Sequence, residues 1–437
     1  MSPEIILTIG MFGSLVLCIM FGVSLAFALG AVGVIAALLM YGTPGLMPIV
    51  TGVFNYMWML LLAAVPLFVF IGVALSKSKI AVDMYDAFYL WSGRLRGGLA
   101  VGTCAFAAAL SAMTGNCSAS TVTTGLVAIP PMRKRKYNER IIFGSIGAAG
   151  TLGILIPPSI TLIVIGMMTG QSIGKLFAGG LVAGIGIVLL FMLYIVVMAW
   201  INPQLCPALD ENPSWREKLL ALKAVALPTL IILSILGSLF FGIATPTEAS
   251  SVGALAVLIC VMIRREFNWR FIKETAYQTA SITGMVLWIM FGASGFVAIY
   301  SGGGGIYFVQ NMLTGLDVSP WMLVFILQLA ILILGMFLDP MGIILLCLPL
   351  FYPVVVNVMG FDPIWYGVVF NIALCIGYIT PPFGYNLFYL KSLSPDTDMG
   401  TIYRSVLPFI FIMVIALVLM MIFPGIITWL PNNMGLN

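Results

Sequence analysis

GAAGTLGILIPPSITLIVIGMMT, residues 147–169, is apolar enough to lie in a membrane, yet Pro157 and Pro158 break it in the middle, with Gly150 and Gly153 before the break and Ser159 and Thr161 after it. Proline removes a backbone donor and its ring clashes with the preceding turn. A helix passing through must therefore open and leave carbonyls and hydroxyls unpaired at mid-membrane depth, where they are tolerated only if they line a cavity. About 224 positions later IGYITPPFGYNLFYL, residues 376–390, puts Gly377, Pro381 and Pro382 in register with Gly153, Pro157 and Pro158. Interrupted apolar segments at matching places in two halves of a chain point to a transport site between repeats.

The remaining sequence fits a bilayer. Of 437 residues, 62% are apolar and 8% charged, with a mean hydropathy of +1.15, whereas a soluble domain carries about a quarter charged residues. No Lys or Arg precedes Lys77, so the apolar N-terminus lacks the basic region of a cleaved signal peptide and is expected to stay as membrane helix. The seven cysteines show no Cys-x-x-Cys spacing and sit mostly inside apolar runs, which reads as reduced packing residues. With no His in the chain, zinc chemistry and Ser-His or Cys-His catalysis lose their usual participants.

Residues 5–41 are too long for one span of about 20 residues, and Gly22 to Ser24 offers a turn, so two helices are expected. Residues 42–48 read as an uncharged loop and 53–75 as the next span. Residues 77–96 carry Lys77, Lys79, Arg94 and Arg96 among Tyr85, Phe88, Tyr89 and Trp91, the pattern of an interfacial arm helix. Residues 97–131 have a small, polar centre, Ser111-Ala-Met-Thr-Gly-Asn-Cys-Ser-Ala-Ser-Thr121, and are expected to form a re-entrant helical hairpin with its tip near Gly115 and Asn116. The densest basic cluster follows, Arg133 to Lys136 with Arg140. The broken helix, 141–170, and a further span complete a first repeat, 1–200, and a polar connector, 201–223, follows it.

The second half, 224–437, repeats the first. Gly22, Gly33 and Gly72 reappear as Gly242, Gly253 and Gly292, displaced by 220, and Gly115-Asn116 reappears near Asp339-Pro340. A second hairpin is expected over 321–355 and a second broken helix over 364–393. The basic cluster has an uncharged counterpart in 356–363, and the basic run 264–273 has one in 42–51. Equivalent loops thus lie on opposite sides if basic loops stay in the cytoplasm. The expected fold is an all-α polytopic membrane protein: an inverted-topology repeat of two five-span halves, each with a re-entrant hairpin and a broken helix, both termini outside and the connector inside.

Half-helix N-termini at the repeat interface would offer N–H donors and a positive dipole end to an anion, and freed carbonyls with the hydroxyls of Ser118, Ser120, Thr121, Ser159 and Thr380 would offer hard oxygens. The competing reading is proline kinks healed by neighbouring helices; recurrence in both halves beside polar tips argues against it. Asp339 is the one carboxylate placed deep in an apolar run, a functional candidate, and Asp followed by Pro is also a good N-cap and N1 pair. Thr245-Pro-Thr-Glu248 reads as a capping box. Ser301-Gly-Gly-Gly-Gly305 lacks the Lys-Ser/Thr of a phosphate loop and reads as an external hinge. Topology accounts for the basic cluster, so no nucleic-acid partner is expected.

Gly97-Gly-Leu-Ala100, Thr114-Gly-Asn-Cys-Ser-Ala-Ser-Thr121, Gly150-Thr-Leu-Gly-Ile-Leu-Ile-Pro-Pro-Ser159, Asp339-Pro340 and Ile379-Thr-Pro-Pro-Phe-Gly384 closely resemble the large membrane subunit of tripartite ATP-independent periplasmic (TRAP) transporters, over essentially the whole chain. The first tip differs, with Gly115-Asn116-Cys117 where the family more often has Gly-Ser-Ser. The resemblance implies a sodium-driven importer of organic acids in the bacterial inner membrane, working by an elevator motion. Its implied partners are a small four-helix membrane subunit and a periplasmic substrate-binding protein, besides membrane lipid. On this reading Ser118, Ser120, Thr121, Ser159, Thr161 and Asn386 are expected to meet the carboxylate. Asn116, Ser118, Gly153, Pro157, Asp339, Gly377 and Thr380 are expected around two sodium ions, with no organic cofactor. The alternatives are an autonomous sodium- or proton-coupled symporter or antiporter of a related fold, an intramembrane enzyme, for which no base stands beside the hydroxyls, and a structural scaffold, which would not call for duplicated broken helices.

Overall fold

The computed structural model describes residues 2–92, 95–207 and 214–434; part of the connector, 208–213, lies outside them. Among the described residues the chain is helical throughout, with no strand. The first half runs α1 (Pro3–Met20), α2 (Leu25–Tyr41), α3 (Leu46–Met57), α4 (Ala64–Lys77), α5 (Ile80–Ser92), α6 (Gly98–Thr114), α7 (Cys117–Lys134), α8 (Glu139–Thr151), α9 (Ile160–Thr169) and α10 (Ile173–Ile201). The second runs α11 (Trp215–Phe240), α12 (Pro246–Ile263), α13 (Trp269–Gly302), α14 (Gly305–Thr314), α15 (Pro320–Gly335), α16 (Pro340–Tyr352), α17 (Pro363–Ile379), α18 (Tyr385–Leu393) and α19 (Met399–Ile422), followed by α20 (Gly425–Asn433). The order matches element for element, with α3 and α4 together corresponding to α13. Equivalent helices run in opposite directions: Lys77 at the end of α4 pairs with Glu274 near the start of α13 at 3.4 Å. At least seven helices are long and apolar enough to cross a membrane.

Helix ends follow the side-chain chemistry. Ser214 with Glu217 and Thr245 with Glu248 form capping boxes, each satisfying two orphan donors at once. Helices apolar on all sides pack on one flank and leave large hydrophobics exposed on the other, as lipid-facing helices do; Leu39 of α2 (82%) and Val252 of α12 (68%) are examples. The arm α5 is fixed through Asp83–Arg264 (2.5 Å) and the Lys79 amide to Glu266 (2.9 Å), which ties it to the α12–α13 loop.

Several boundaries differ from those expected. The span read as 53–75 begins at Leu60, because the chain breaks at Trp58–Met59 and α3 is a separate amphipathic helix with no fully buried residue. The loop read as 42–48 shrinks to the turn Thr43–Gly45. The arm read as 77–96 is two pieces: α4 runs through Lys77, and α5 buries Ile80, Ala81, Met84 and Tyr85. The glycine run at 301–305 is no open hinge; α13 continues through Gly302, Gly304 turns at φ +80, and α14 begins.

Candidate functional site

The two hairpin tips are built alike with one decisive difference. Gly115 ends α6 at φ +59, and its position against the Pro158 carbonyl leaves no room for a side chain. Asn116 then caps α7, its Oδ1 accepting from the Ser118 amide at 2.8 Å and the Ser118 hydroxyl at 2.6 Å. In the second hairpin Asp339 caps α16, Oδ2 accepting from the Met341 amide at 3.0 Å with Pro340 at the first helical position. A carboxylate there complements the helix dipole. Among the described residues no Lys or Arg pairs with it.

In the first broken span α8 gives way to the turn Leu152–Ile154, a cis Pro157–Pro158 bond and then α9. Residues 151–160 are all buried. The Ile154 carbonyl, freed by the break, accepts from the Ser159 hydroxyl, from Thr161 Oγ1 at 2.8 Å and from Asn371 Nδ2 of α17 at 2.5 Å. In the second, α17 ends at Ile379, Pro381–Pro382 is cis, and α18 begins after Gly384 without a side-chain cap. Thr380 Oγ1 donates back to the Ile376 carbonyl at 2.6 Å, and the Tyr403 hydroxyl donates to the Pro382 carbonyl at 2.5 Å.

These four pieces meet at a cavity of about 490 Å³. The N-terminal ends of α7 (Cys117), α9 (Ile160, Thr161), α16 (Pro340, Met341) and α18 (Tyr385) all line it. Four positive dipole ends therefore face one space. Its opposite wall is α2 from Ser24 to Phe27 and α13 from Ile282 to Ile289, with Trp288; Tyr378 and Tyr385 stack beside it with ring centroids 5.8 Å apart.

Of the residues expected at the site, Asn116, Ser118, Thr161 and Asp339 line the cavity. The others stand behind its walls. Ser120 binds the Ser111 hydroxyl at 2.9 Å and the Ala107 carbonyl at 3.3 Å, and Thr121 is buried against Gly150. Ser159 caps α9, and Asn386 Nδ2 donates to the Gly147 carbonyl at 2.8 Å. Pro157 is buried, Thr380 bonds its own helix, Gly153 lies against the Asn116 backbone and Gly377 against Gly335. The sequence reading missed Asn371, the lone amide of the apolar run IWYGVVFNIALCIGYI, and polarity inside such a run was the available signal. It also missed the α2 and α13 wall, which no local motif marks.

A bundle with paired re-entrant hairpins and broken helices around a cavity that is largely apolar but holds Asn116, Ser118, Thr161 and Asp339 has the build of a membrane transporter. Residues 12–426 match the family described as the tripartite ATP-independent periplasmic transporter, DctM component, and the chain belongs to that family, as a multi-pass protein of the bacterial inner membrane. It is 30% identical to the C4-dicarboxylate TRAP transporter large permease protein DctM of Pseudomonas aeruginosa, over 86% of this chain and 87% of that one. It is 28% identical to the ectoine/5-hydroxyectoine TRAP transporter large permease protein UehC of Ruegeria pomeroyi, over 90% and 96%. These relatives are named as permeases, not enzymes. In fold it is similar to the Alcanivorax borkumensis YdaH transporter, with TM-score 0.64 at 14% identity, covering 92% of this chain and 97% of that one.

Proposed function

We propose that this chain is the substrate-translocating subunit of a sodium-coupled importer of an organic acid, receiving its cargo from a periplasmic binding protein and working beside a small membrane subunit. The observation that carries the reading is the convergence of four half-helix N-termini on one cavity. They favour a carboxylate without any Lys or Arg. Asn116, Ser118, Thr161 and Asp339 supply hard oxygens at the same place, of the kind sodium accepts. The relatives named for C4-dicarboxylates and ectoine fit a carboxylate-bearing cargo. If two sodium ions enter per turnover, a dianion crosses without net charge, whereas a monoanion gains about 2.3 kcal/mol per 100 mV of inside-negative potential.

The cavity lies toward the basic loops, the cytoplasmic side by the positive-inside rule: α18 leads from it to Lys391 and α2 borders it at its first residues. On the other side a second cavity of about 480 Å³, lined by Asn55, Tyr56, Ser294 and Ser301, lies further along α13. Buried Ile163 and Val164 of α9, Met290 of α13 and Ile343 of α16 lie between these levels. These placements support the reading of an inward-facing state of an alternating-access carrier. The basic-side ion pairs fall into two groups: Asp83–Arg264 joins the arm α5 to the α12–α13 loop and Lys77–Glu274 joins α4 to α13, while Arg133 binds Glu139 and Asp396, each at 3.0 Å, within the hairpin-bearing core. An elevator motion would carry this core past α2 and α13, which form the opposite wall of the cavity.

The test is uptake into proteoliposomes containing this chain, the small subunit and a loaded binding protein. Uptake should follow an inward sodium gradient and need all three proteins. Uptake indifferent to sodium would remove the coupling, and sodium-driven uptake by this chain alone would establish the autonomous symporter instead.

A further inference from the structure

On the basic side of the molecule, away from the hairpin tips, a separate cavity of about 500 Å³ lies between the arm α5 and the end of α7. Tyr85, Asp86 and Tyr89 line it from the arm, and Pro131, Lys134 and Arg135 from the hairpin. Arg133, in the same basic run, is engaged by Glu139 and Asp396. Lys134 is exposed and forms no ion pair among the described residues. The Arg135 guanidinium sits 5.0 Å over the Tyr89 ring and donates to the Tyr89 hydroxyl, which holds its charge at the cavity. Asp86 is the one acid of the lining; partial burial and the neighbouring Asp83 carboxylate push its pKa up. Val82 and Val127 also line it, and Val82 on α5 and Leu126 on α7 are 47% and 62% exposed, so apolar surface adjoins the charged groups on both helices.

We propose that this cavity binds the headgroup of a phospholipid from the leaflet on the basic side, its phosphate between Lys134 and Arg135 and its amine against Asp86, with acyl chains along Val82 and Leu126. Two cations meet a phosphate in charge-assisted hydrogen bonds. At the level of the basic loops each is worth about 1 kcal/mol toward an anionic lipid group. Asp86 decides among headgroups. It accepts N–H donors from a primary ammonium, which a trimethylated amine cannot supply and the neutral glycerol of phosphatidylglycerol lacks, so only an ethanolamine headgroup neutralises its charge. Free phosphate presents the same anion, but without chains for the apolar flank and with Asp86 opposing it.

Native mass spectrometry of the purified, delipidated full chain, titrated with phosphatidylethanolamine, phosphatidylglycerol and phosphatidylcholine, reads the site directly. The expected result is one phosphatidylethanolamine retained in preference to the other two, and not displaced by millimolar inorganic phosphate. Lys134→Gln, on an exposed side chain that the fold does not need, should lower that occupancy about fivefold. Asp86→Asn should move the preference toward phosphatidylglycerol. Retention unchanged in both Lys134→Gln and Arg135→Gln, preference of the parent chain for phosphatidylglycerol, or displacement by inorganic phosphate would each overturn the assignment. No transport assay enters the test, so its outcome is independent of the cargo and of sodium coupling.

Discussion

The first and second halves contain the same parts, yet the first broken span is closed and the second is open. Residues 151–160 are wholly buried, and three donors converge on the Ile154 carbonyl. Phe383 and Tyr385 beside the second break are 50% and 40% exposed, and α18 has no side-chain cap. Two buried amides brace the first break from the other half: Asn371 and Asn386 of the second half both donate to carbonyls of the first, Ile154 and Gly147. A symmetric duplication has thus been divided into a fixed side, whose freed backbone groups are satisfied by protein, and an exposed side bordering the cavity on its open face. The tips carry the same division, with a neutral Asn116 in the fixed half and a charged Asp339 in the exposed one.

The largest effect should come from removing that charge. Asp339→Asn keeps a good helix cap but takes away the anionic oxygen; the sodium concentration for half-maximal uptake should rise roughly ten- to a hundredfold, the equivalent of about 1.5–3 kcal/mol for an interaction with a charged group. An unchanged curve would reduce Asp339 to a cap. Next come the glycines where backbones touch. A Cβ at Gly377 would lie 2.7 Å from the Gly335 Cα, and one at Gly153 would lie 2.7 Å from the Asn116 carbonyl oxygen. Each Ala variant should lose about 1–3 kcal/mol of stability by thermal unfolding in detergent. Only Gly153→Ala, which displaces a tip, should also shift sodium activation. Equal sodium effects from the two would erase the distinction between the halves.

Smaller still is Asn371→Leu. The Ile154 carbonyl keeps two hydroxyl donors, so the loss should be about 0.5–1.5 kcal/mol, read in the same melts. A larger loss would show that the two hydroxyls do not hold the break without it. Ser118→Ala and Thr380→Ala should act least, each moving half-maximal sodium by no more than a few-fold, in keeping with a neutral hydrogen bond of about 1 kcal/mol. Ser118 faces the cavity, so its effect should exceed that of Thr380, which bonds within its own helix; the reverse order would relocate the cation to the second break.

Much of this arrangement was legible because its devices are local. Pro-Pro pairs with flanking glycines mark a break wherever they occur, and Asn116 and Asp339-Pro340 announce helix starts by their own chemistry. What depends on helical phase was not. Ser118 and Ser120 stand two positions apart, and two residues of helix turn the chain by about 200°, so one reaches the cavity and the other the Ser111 hydroxyl. The break at Trp58–Met59 carries neither Gly nor Pro, and its continuous apolar run concealed that α3 ends there. The scaffold wall at Ser24 to Phe27 and Trp288 is brought to the site only by packing of the two halves, which no single stretch of sequence encodes.

The central claim is that sodium binds at the hairpin tips inside a cavity open to the cytoplasm. It is tested most directly by a single cysteine at Ser118 on a background with the seven native cysteines replaced, reacted in inside-out vesicles with a membrane-impermeant maleimide. The account predicts labelling from the cytoplasmic face, slowed by sodium and not by potassium. Labelling only from the periplasmic face, or at a rate that sodium leaves unchanged, would contradict it.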